Sequence, residues 1–298
     1  MPAAFADRVI DSVYRFGSPL CVGLDPFAHL IPSALFGDPR SDVAALGRFS
    51  EALLTQAAAN TGVVKIQLGL FEPFGPEGVA AAREACRFAQ GLGLVTILDA
   101  KRGDIGSTAE GYAAAALGPC PGFDADCVTV APYMGVDSLL PFVEAAETRG
   151  KGVAVLVRTS NPGARDLQDL LVDGSPLWTK TAAMIAPLQA RLQAEGEFSS
   201  LMVVAGATYP EQARLLRQLL PEALFLIPGY GAQGASAGDA VAGFVPGPKG
   251  LVGGVVNASR SVSYPTAAAS AATLQDWRSA IDAAMNAAKR DLEAAVSG

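Results

Sequence analysis

Short runs rich in β-branched and apolar residues recur along the chain, separated by Ala-rich stretches whose apolar positions follow a helical period. Eight runs stand out: Leu20–Leu24, Val63–Gln67, Val95–Leu98, Cys127–Val130, Val153–Val157, Leu201–Val204, Leu224–Ile227 and Leu251–Val256. Between them Val79–Gln90, Thr179–Ala194, Tyr209–Leu219 and Ala267–Val296 carry helix formers at helical spacing. Eight strands alternating with helices predict an α/β protein built as a single (β/α)8 TIM barrel over residues 1–298, with an open doubly wound sheet as the alternative. No linker rich in Pro, Gly or charge marks a second domain. Two segments exceed an ordinary connection. Pro26–Arg48 follows the first strand and has no assignable role; Gln233–Gly250 follows the seventh, and its Gly, Ala, Ser and Pro content suits a mobile loop.

A length of 298 residues fits one such barrel, and with 50% hydrophobic and 17% charged residues a large core is available and overall disorder is excluded. No stretch approaches the ~20 apolar residues that a membrane helix needs. The start Met-Pro-Ala-Ala-Phe-Ala-Asp-Arg lacks the basic and apolar regions of a secretory signal, so a cytoplasmic location is expected. Cys21, Cys86, Cys120 and Cys127 show no metal-ligand spacing and are read as buried free thiols. A net charge of −7 argues against nucleic acid as a partner, so an anionic ligand requires a local cationic site. His29 is the single histidine and falls in a predicted loop, which leaves little room for a His-based triad or multi-His metal site.

In a barrel of this kind functional groups lie at the carboxyl ends of the strands. Polar residues gather there: Asp25 after the first run, Lys65 and Gln67 in the second, Asp99, Lys101 and Asp104 at the third, and Ser160-Asn161 after the fifth. Two ammonium groups and two carboxylates thus converge on the barrel mouth. An isolated D-x-K-x-x-D is most simply a solvated surface ion pair, but a strand exit points it inward, where a carboxylate orients a lysine and the lysine donates a proton. Pro228-Gly229-Tyr230-Gly231-Ala232-Gln233-Gly234 after the seventh run frees backbone N–H groups, and Arg260 after the eighth offers a forked cation. Together they predict a phosphate site. Asp25 and Ser160 admit plainer readings, as a helix cap and a turn; Trp178 and Tyr209 are expected to pack the barrel and its helices.

The segment Asp99-Ala-Lys101-Arg-Gly-Asp104-Ile105 resembles the D-x-K-x-x-D-I signature of orotidine 5′-phosphate decarboxylases, and Leu98–Thr108 resembles their longer-chain bacterial group. Gly23-Leu-Asp-Pro26, Lys65-Ile-Gln67, Ser160-Asn-Pro-Gly163, Pro228–Gly234 and Ser259-Arg-Ser261 follow in the family's order, so the resemblance spans nearly the whole chain. It implies decarboxylation of orotidine 5′-monophosphate to uridine 5′-monophosphate with neither cofactor nor metal, Lys101 protonating C6. Asp99 would stand beside the substrate carboxylate, Lys65 would order the array and contact the ribose, Asp25 would hold a ribose hydroxyl and Ser160 the pyrimidine amide edge. Pro228, Gly229, Gln233 and Arg260 would bind the phosphate. Asp104 and Thr108 would cross into the partner's site of a homodimer with shared active sites. The lengths of Gly106-Ser107 and of 233–250 depart from compact relatives and leave lid geometry open.

Three rivals share parts of this pattern. A magnesium-dependent phosphosugar enzyme would use the D-x-K-x-x-D array around an enediolate, but a cation at Lys65 disfavours a divalent metal there. A Schiff-base aldolase on Lys65 or Lys101 would want a desolvated lysine without carboxylate neighbours. A non-catalytic phosphate-binding barrel has no need of the array.

Overall fold

The eight apolar runs form the eight parallel strands of a closed barrel in the computed structural model, which describes residues 3–231 and 234–297. They are β1 (Leu20–Leu24), β2 (Val63–Gln67), β3 (Val95–Arg102), β4 (Cys127–Val130), β5 (Gly152–Arg158), β6 (Ser199–Ala205), β7 (Ala223–Ile227) and β8 (Gly254–Ala258). Neighbours follow chain order, and β1 pairs with β8 to close the ring. Seven long helices follow or flank them: α1 (Phe5–Phe16), α2 (Ala44–Asn60), α3 (Gly75–Gly91), α4 (Gly106–Leu117), α5 (Leu140–Arg149), α6 (Leu177–Ile185) and α7 (Pro210–Leu219). A C-terminal helix α8 (Leu274–Ser297) completes the layer. Among the described residues no helix is long and apolar enough to cross a membrane.

Alternation within each strand separates two cores. Outward positions such as Val22, Val64, Leu98, Val128, Val155 and Val203 pack under the helices. Inward positions Cys21, Val63, Val95, Ile97, Cys127, Ala154, Met202 and Leu224 fill the lower barrel. Phe5, Val9 and Val13 of α1 belong to this inner cluster, so the N-terminal helix plugs the end opposite the mouth. Gly152 makes room for it: a Cβ there would lie 2.3 Å from the Phe5 ring.

Several boundaries differ from the sequence reading, each for a local reason. β3 continues through Lys101 to Arg102. β8 starts at Gly254, not Leu251, because Gly250–Val252 pairs antiparallel with Val245–Gly247 and Gly253 turns the chain at φ 135°. The stretch Thr179–Ala194 is not one helix. α6 ends at Ile185 and a short turn covers Leu188–Arg191, with Pro187, which lacks an N–H, between them. Ala267–Val296 likewise divides into Thr266–Ala269 and α8.

The two long connections carry structure. In Pro26–Arg48, Phe36 sets its ring against Trp277 of α8 at 5.0 Å and Phe49 of α2 at 5.5 Å, while Phe49 stacks on Tyr264 at 5.6 Å. This insertion is therefore a brace between helices. In the described part of 233–250, Ser236 and Asp239 form a reciprocal capping box on the short helix Ala237–Ala240, and the Val245–Gly247 hairpin follows. A segment expected as a mobile loop thus carries local secondary structure. Cys21, Cys86 and Cys127 are buried, but Cys120 is exposed in the turn after α4, correcting the reading of four buried thiols. His29 is exposed in its loop, as expected.

Candidate active site

The inward positions that are apolar at the bottom of the barrel become polar at the mouth: Lys65 and Gln67 on β2, Asp99 and Lys101 on β3, Thr129 on β4 and Asn257 on β8. With Asp25, Ser160, Pro228, Gly229 and Arg260 they line one cavity of about 440 Å³. Leu156, Val204 and Leu226 supply its apolar wall from β5, β6 and β7. Gly23 on β1 belongs to the inward set, and its missing side chain is required: a Cβ would lie 2.0 Å from Ser259 Oγ.

At the centre is a chain of opposite charges. Lys65 Nζ lies 2.9 Å from Asp99 Oδ2 and 3.5 Å from Asp25 Oδ1, and Lys101 Nζ lies 2.5 Å from Asp99 Oδ1. Lys65 and Asp99 are only 6% and 7% exposed, so each needs the other: an unpaired charge at that depth would be strongly disfavoured. Burial pushes the Asp99 carboxyl up, but the ammonium groups of Lys65 and Lys101 outweigh it and hold the carboxyl at about 2. Burial likewise opposes the Lys65 ammonium, and Asp99 and Asp25 reverse that effect, leaving it harder to deprotonate than a free lysine. The Gln67 amide, with its nitrogen toward Asp99, donates to the Asp99 carbonyl at 2.8 Å and to Oδ2 at 3.0 Å. Cys21, beneath the array, has its thiol pushed up to about 12 by burial and stays protonated.

A bulge shapes this array. Leu98 pairs with Val128 and Arg102 with Val130, so Asp99-Ala100-Lys101 faces the single residue Thr129. Lys101 adopts φ 45°, in the left-handed region that a non-glycine residue seldom enters. Its backbone N–H donates to Thr129 Oγ1 at 2.9 Å, and the Thr129 hydroxyl donates to Asp99 Oδ1 at 2.9 Å. The Lys101 side chain remains 48% exposed toward the mouth.

Behind the cavity, Arg158 at the end of β5 is 2% exposed and stacks on Tyr209 at 4.0 Å. Its guanidinium donates to Gln212 Oε1 at 2.5 Å and Gln168 Oε1 at 3.3 Å, and Gln168 in turn binds the Thr159 N–H and hydroxyl. This network fixes the backbone that presents Ser160 and Asn161. Tyr209 thus packs, as does buried Trp178, in line with expectation.

At the far end, Gly229 adopts φ 101° and Gly231 φ 69°, conformations open to glycine that bend the loop after β7 over the cavity. The Tyr230 hydroxyl donates to Asp291 Oδ2 of α8 at 2.6 Å, tying that loop down. Arg260 is exposed and pairs with no carboxylate among the described residues, and so is available to an anion. Gln233 lies outside the described residues.

Asp104 and Thr108 do not line this cavity. Asp104 Oδ1 accepts from the Ile105 N–H at 2.8 Å, and Thr108 is exposed on the first turn of α4. Sequence reasoning missed Thr129 and the apolar wall of Leu156, Val204 and Leu226; the wall's only signal was the inward parity of its residues in β5, β6 and β7.

The family model described as orotidine 5′-phosphate decarboxylase / HUMPS family matches residues 18–272. An orotidine 5′-phosphate decarboxylase from Rhodopirellula baltica is 40% identical over 293 residues, covering 94% of this chain and 96% of that protein. One from Deinococcus radiodurans is 40% identical over 265 residues, covering 89% and 90%. Among solved structures, that of Leishmania donovani OMP decarboxylase superposes with a TM-score of 0.77 at 31% identity, covering 99% of both chains. Barrel, charged mouth and sequence agree over nearly the full length: the chain belongs to the orotidine 5′-phosphate decarboxylase family.

Proposed function

We propose that this chain decarboxylates orotidine 5′-monophosphate to uridine 5′-monophosphate and carbon dioxide, with Lys101 as the proton donor to C6. The observation that carries the reading is the Asp99 carboxylate held between two ammonium groups in a cavity with Arg260 at its other end. When the C6–carboxylate bond breaks, its electron pair stays in the ring plane, where the carbonyls delocalise it little. A fixed ammonium stabilises that charge and then supplies the proton that forms C6–H; Lys101, half exposed, regains a proton from solvent. Asp99 would adjoin the substrate carboxylate, Lys65 and Asp25 the ribose, Ser160 the pyrimidine edge, and Pro228, Gly229, Gln233 and Arg260 the phosphate.

The rivals fit less well. Lys65 Nζ sits between Asp25 and Asp99, where a divalent cation would otherwise lie. Held protonated by those carboxylates, it is also a poor Schiff-base nucleophile. In the same reading the enzyme is a cytoplasmic homodimer in which Asp104 and Thr108 complete the partner's site. Their absence from their own cavity supports this, as do exposed Ile105, Tyr133 and Met134 (56%, 83% and 40%) in the neighbouring loops after β3 and β4, apolar surface suited to being covered.

The test is loss of orotate absorbance from orotidine 5′-monophosphate in the presence of a chelator. Chelator-resistant turnover is expected. No turnover by folded protein would overturn the reading, and a substrate adduct trapped on lysine by borohydride would favour the aldolase.

A further inference from the structure

Thr129 is 1% exposed, and its single hydroxyl touches both the proposed proton donor, Lys101, at its backbone N–H, and the Asp99 carboxylate beside it. A hydroxyl has one proton to give. The Asp99 carboxylate can only accept, and the Lys101 backbone N–H can only donate, so the hydroxyl's orientation is fixed: proton to Asp99 Oδ1, lone pair to Lys101 N. Because of the bulge, β4 offers no ladder carbonyl to that N–H, which makes Thr129 its partner. Lys101 holds a left-handed backbone conformation there, so the same hydrogen bond fixes the residue from which its side chain springs.

Asp99 Oδ1 is shared by Thr129 and by Lys101 Nζ. When Lys101 turns its proton toward a substrate atom and becomes a neutral amine, Oδ1 loses its nearest charged donor. Thr129 remains on it. We infer that Thr129 is a positioning residue for proton transfer, holding the Lys101 backbone and the Asp99 carboxylate in register throughout the step. The inference rests on the proposed role of Lys101.

Two variants of the full chain separate this role from simple packing. Thr129→Val keeps the shape and removes both hydrogen bonds; Thr129→Ser keeps both. Losing a charge-assisted hydrogen bond predicts that Thr129→Val lowers kcat roughly 10- to 100-fold, with KM changed less than about threefold. Thr129→Ser should recover most of the rate. An unchanged kcat in Thr129→Val, an equal loss in Thr129→Ser, or a loss confined to KM would each overturn the inference.

Amide hydrogen exchange at Lys101 gives a readout independent of turnover. Exchange should accelerate at least tenfold in Thr129→Val and stay slow in Thr129→Ser; unchanged protection in Thr129→Val would also overturn the inference. If the wild type decarboxylates nothing while this exchange pattern holds, the functional reading fails and the Thr129 link to Lys101 stands.

Discussion

Asp99→Asn keeps the shape of the side chain and removes the charge between Lys65 and Lys101. Lys65, almost wholly buried, then has only Asp25 at 3.5 Å in place of Asp99 at 2.9 Å. At an effective dielectric of about 20 those attractions are about 5 and 6 kcal/mol before desolvation is counted, so removing Asp99 takes away more than half of what offsets burial of Lys65. The net cost follows from proton linkage. Asp99 is held at about 2 against an ordinary value of 3.8, which corresponds to about 2–3 kcal/mol of stability at neutral pH.

The sign is fixed by the depressed value: the stabilisation is complete above pH ~4 and is lost as pH falls toward 2. Asp99→Asn should therefore melt roughly 5 °C below the wild type at pH 7. The difference should narrow to about half by pH 3. Urea or thermal unfolding at pH 7, 5 and 3 measures it. Equal stability at pH 7, or a difference that does not shrink with acid, would refute the idea that the array's charges are its source.

Lys101→Ala should abolish decarboxylation while uridine 5′-monophosphate still binds by calorimetry; near-normal turnover would remove Lys101 as proton donor. Arg260→Ala should weaken nucleotide binding roughly 10- to 100-fold through the lost forked contact, with little effect on the affinity for uridine, which lacks the phosphate. Neither Lys101→Ala nor Asp104→Ala alone should be active, but mixing them should restore about a quarter of wild-type activity, because half of randomly formed dimers are hybrids with one intact site. No recovery despite demonstrated subunit exchange would place Asp104 outside a shared site.

The barrel was legible because each strand, covered on both faces, reads as an apolar run, and eight such runs are hard to imitate by chance. Lys65, Asp99 and Lys101 were legible because a charge in an inward strand position contradicts burial unless it is paired. Thr129 was not: threonine is itself a strand former, so nothing in Cys127-Val-Thr-Val130 distinguishes a polar partner from an ordinary strand residue. Nor was the bulge, which depends on how β3 and β4 register and not on either segment alone. The plug formed by α1 also escaped notice, since its amphipathic period is the same whether it covers the outside of a barrel or closes its end. Phe36 gave no sign of its role because its partners, Phe49 and Trp277, lie on different helices.

The Phe36–Trp277 contact seats α8 against the insertion after β1, and the bond from Tyr230 to Asp291 makes α8 the anchor of the loop after β7. The order of synthesis gives this anchor a temporal meaning. Strands β1 to β3 and the residue just after β1, which together hold Asp25, Lys65, Asp99 and Lys101, leave the ribosome while most of the barrel is still unmade, whereas α8, which steadies the Gly229–Gly231 bend, follows all eight strands. A nascent chain, or one clipped before α8, would therefore carry every charged group of the array and yet grip its ligand poorly, and competence to bind would arrive only when α8 docks.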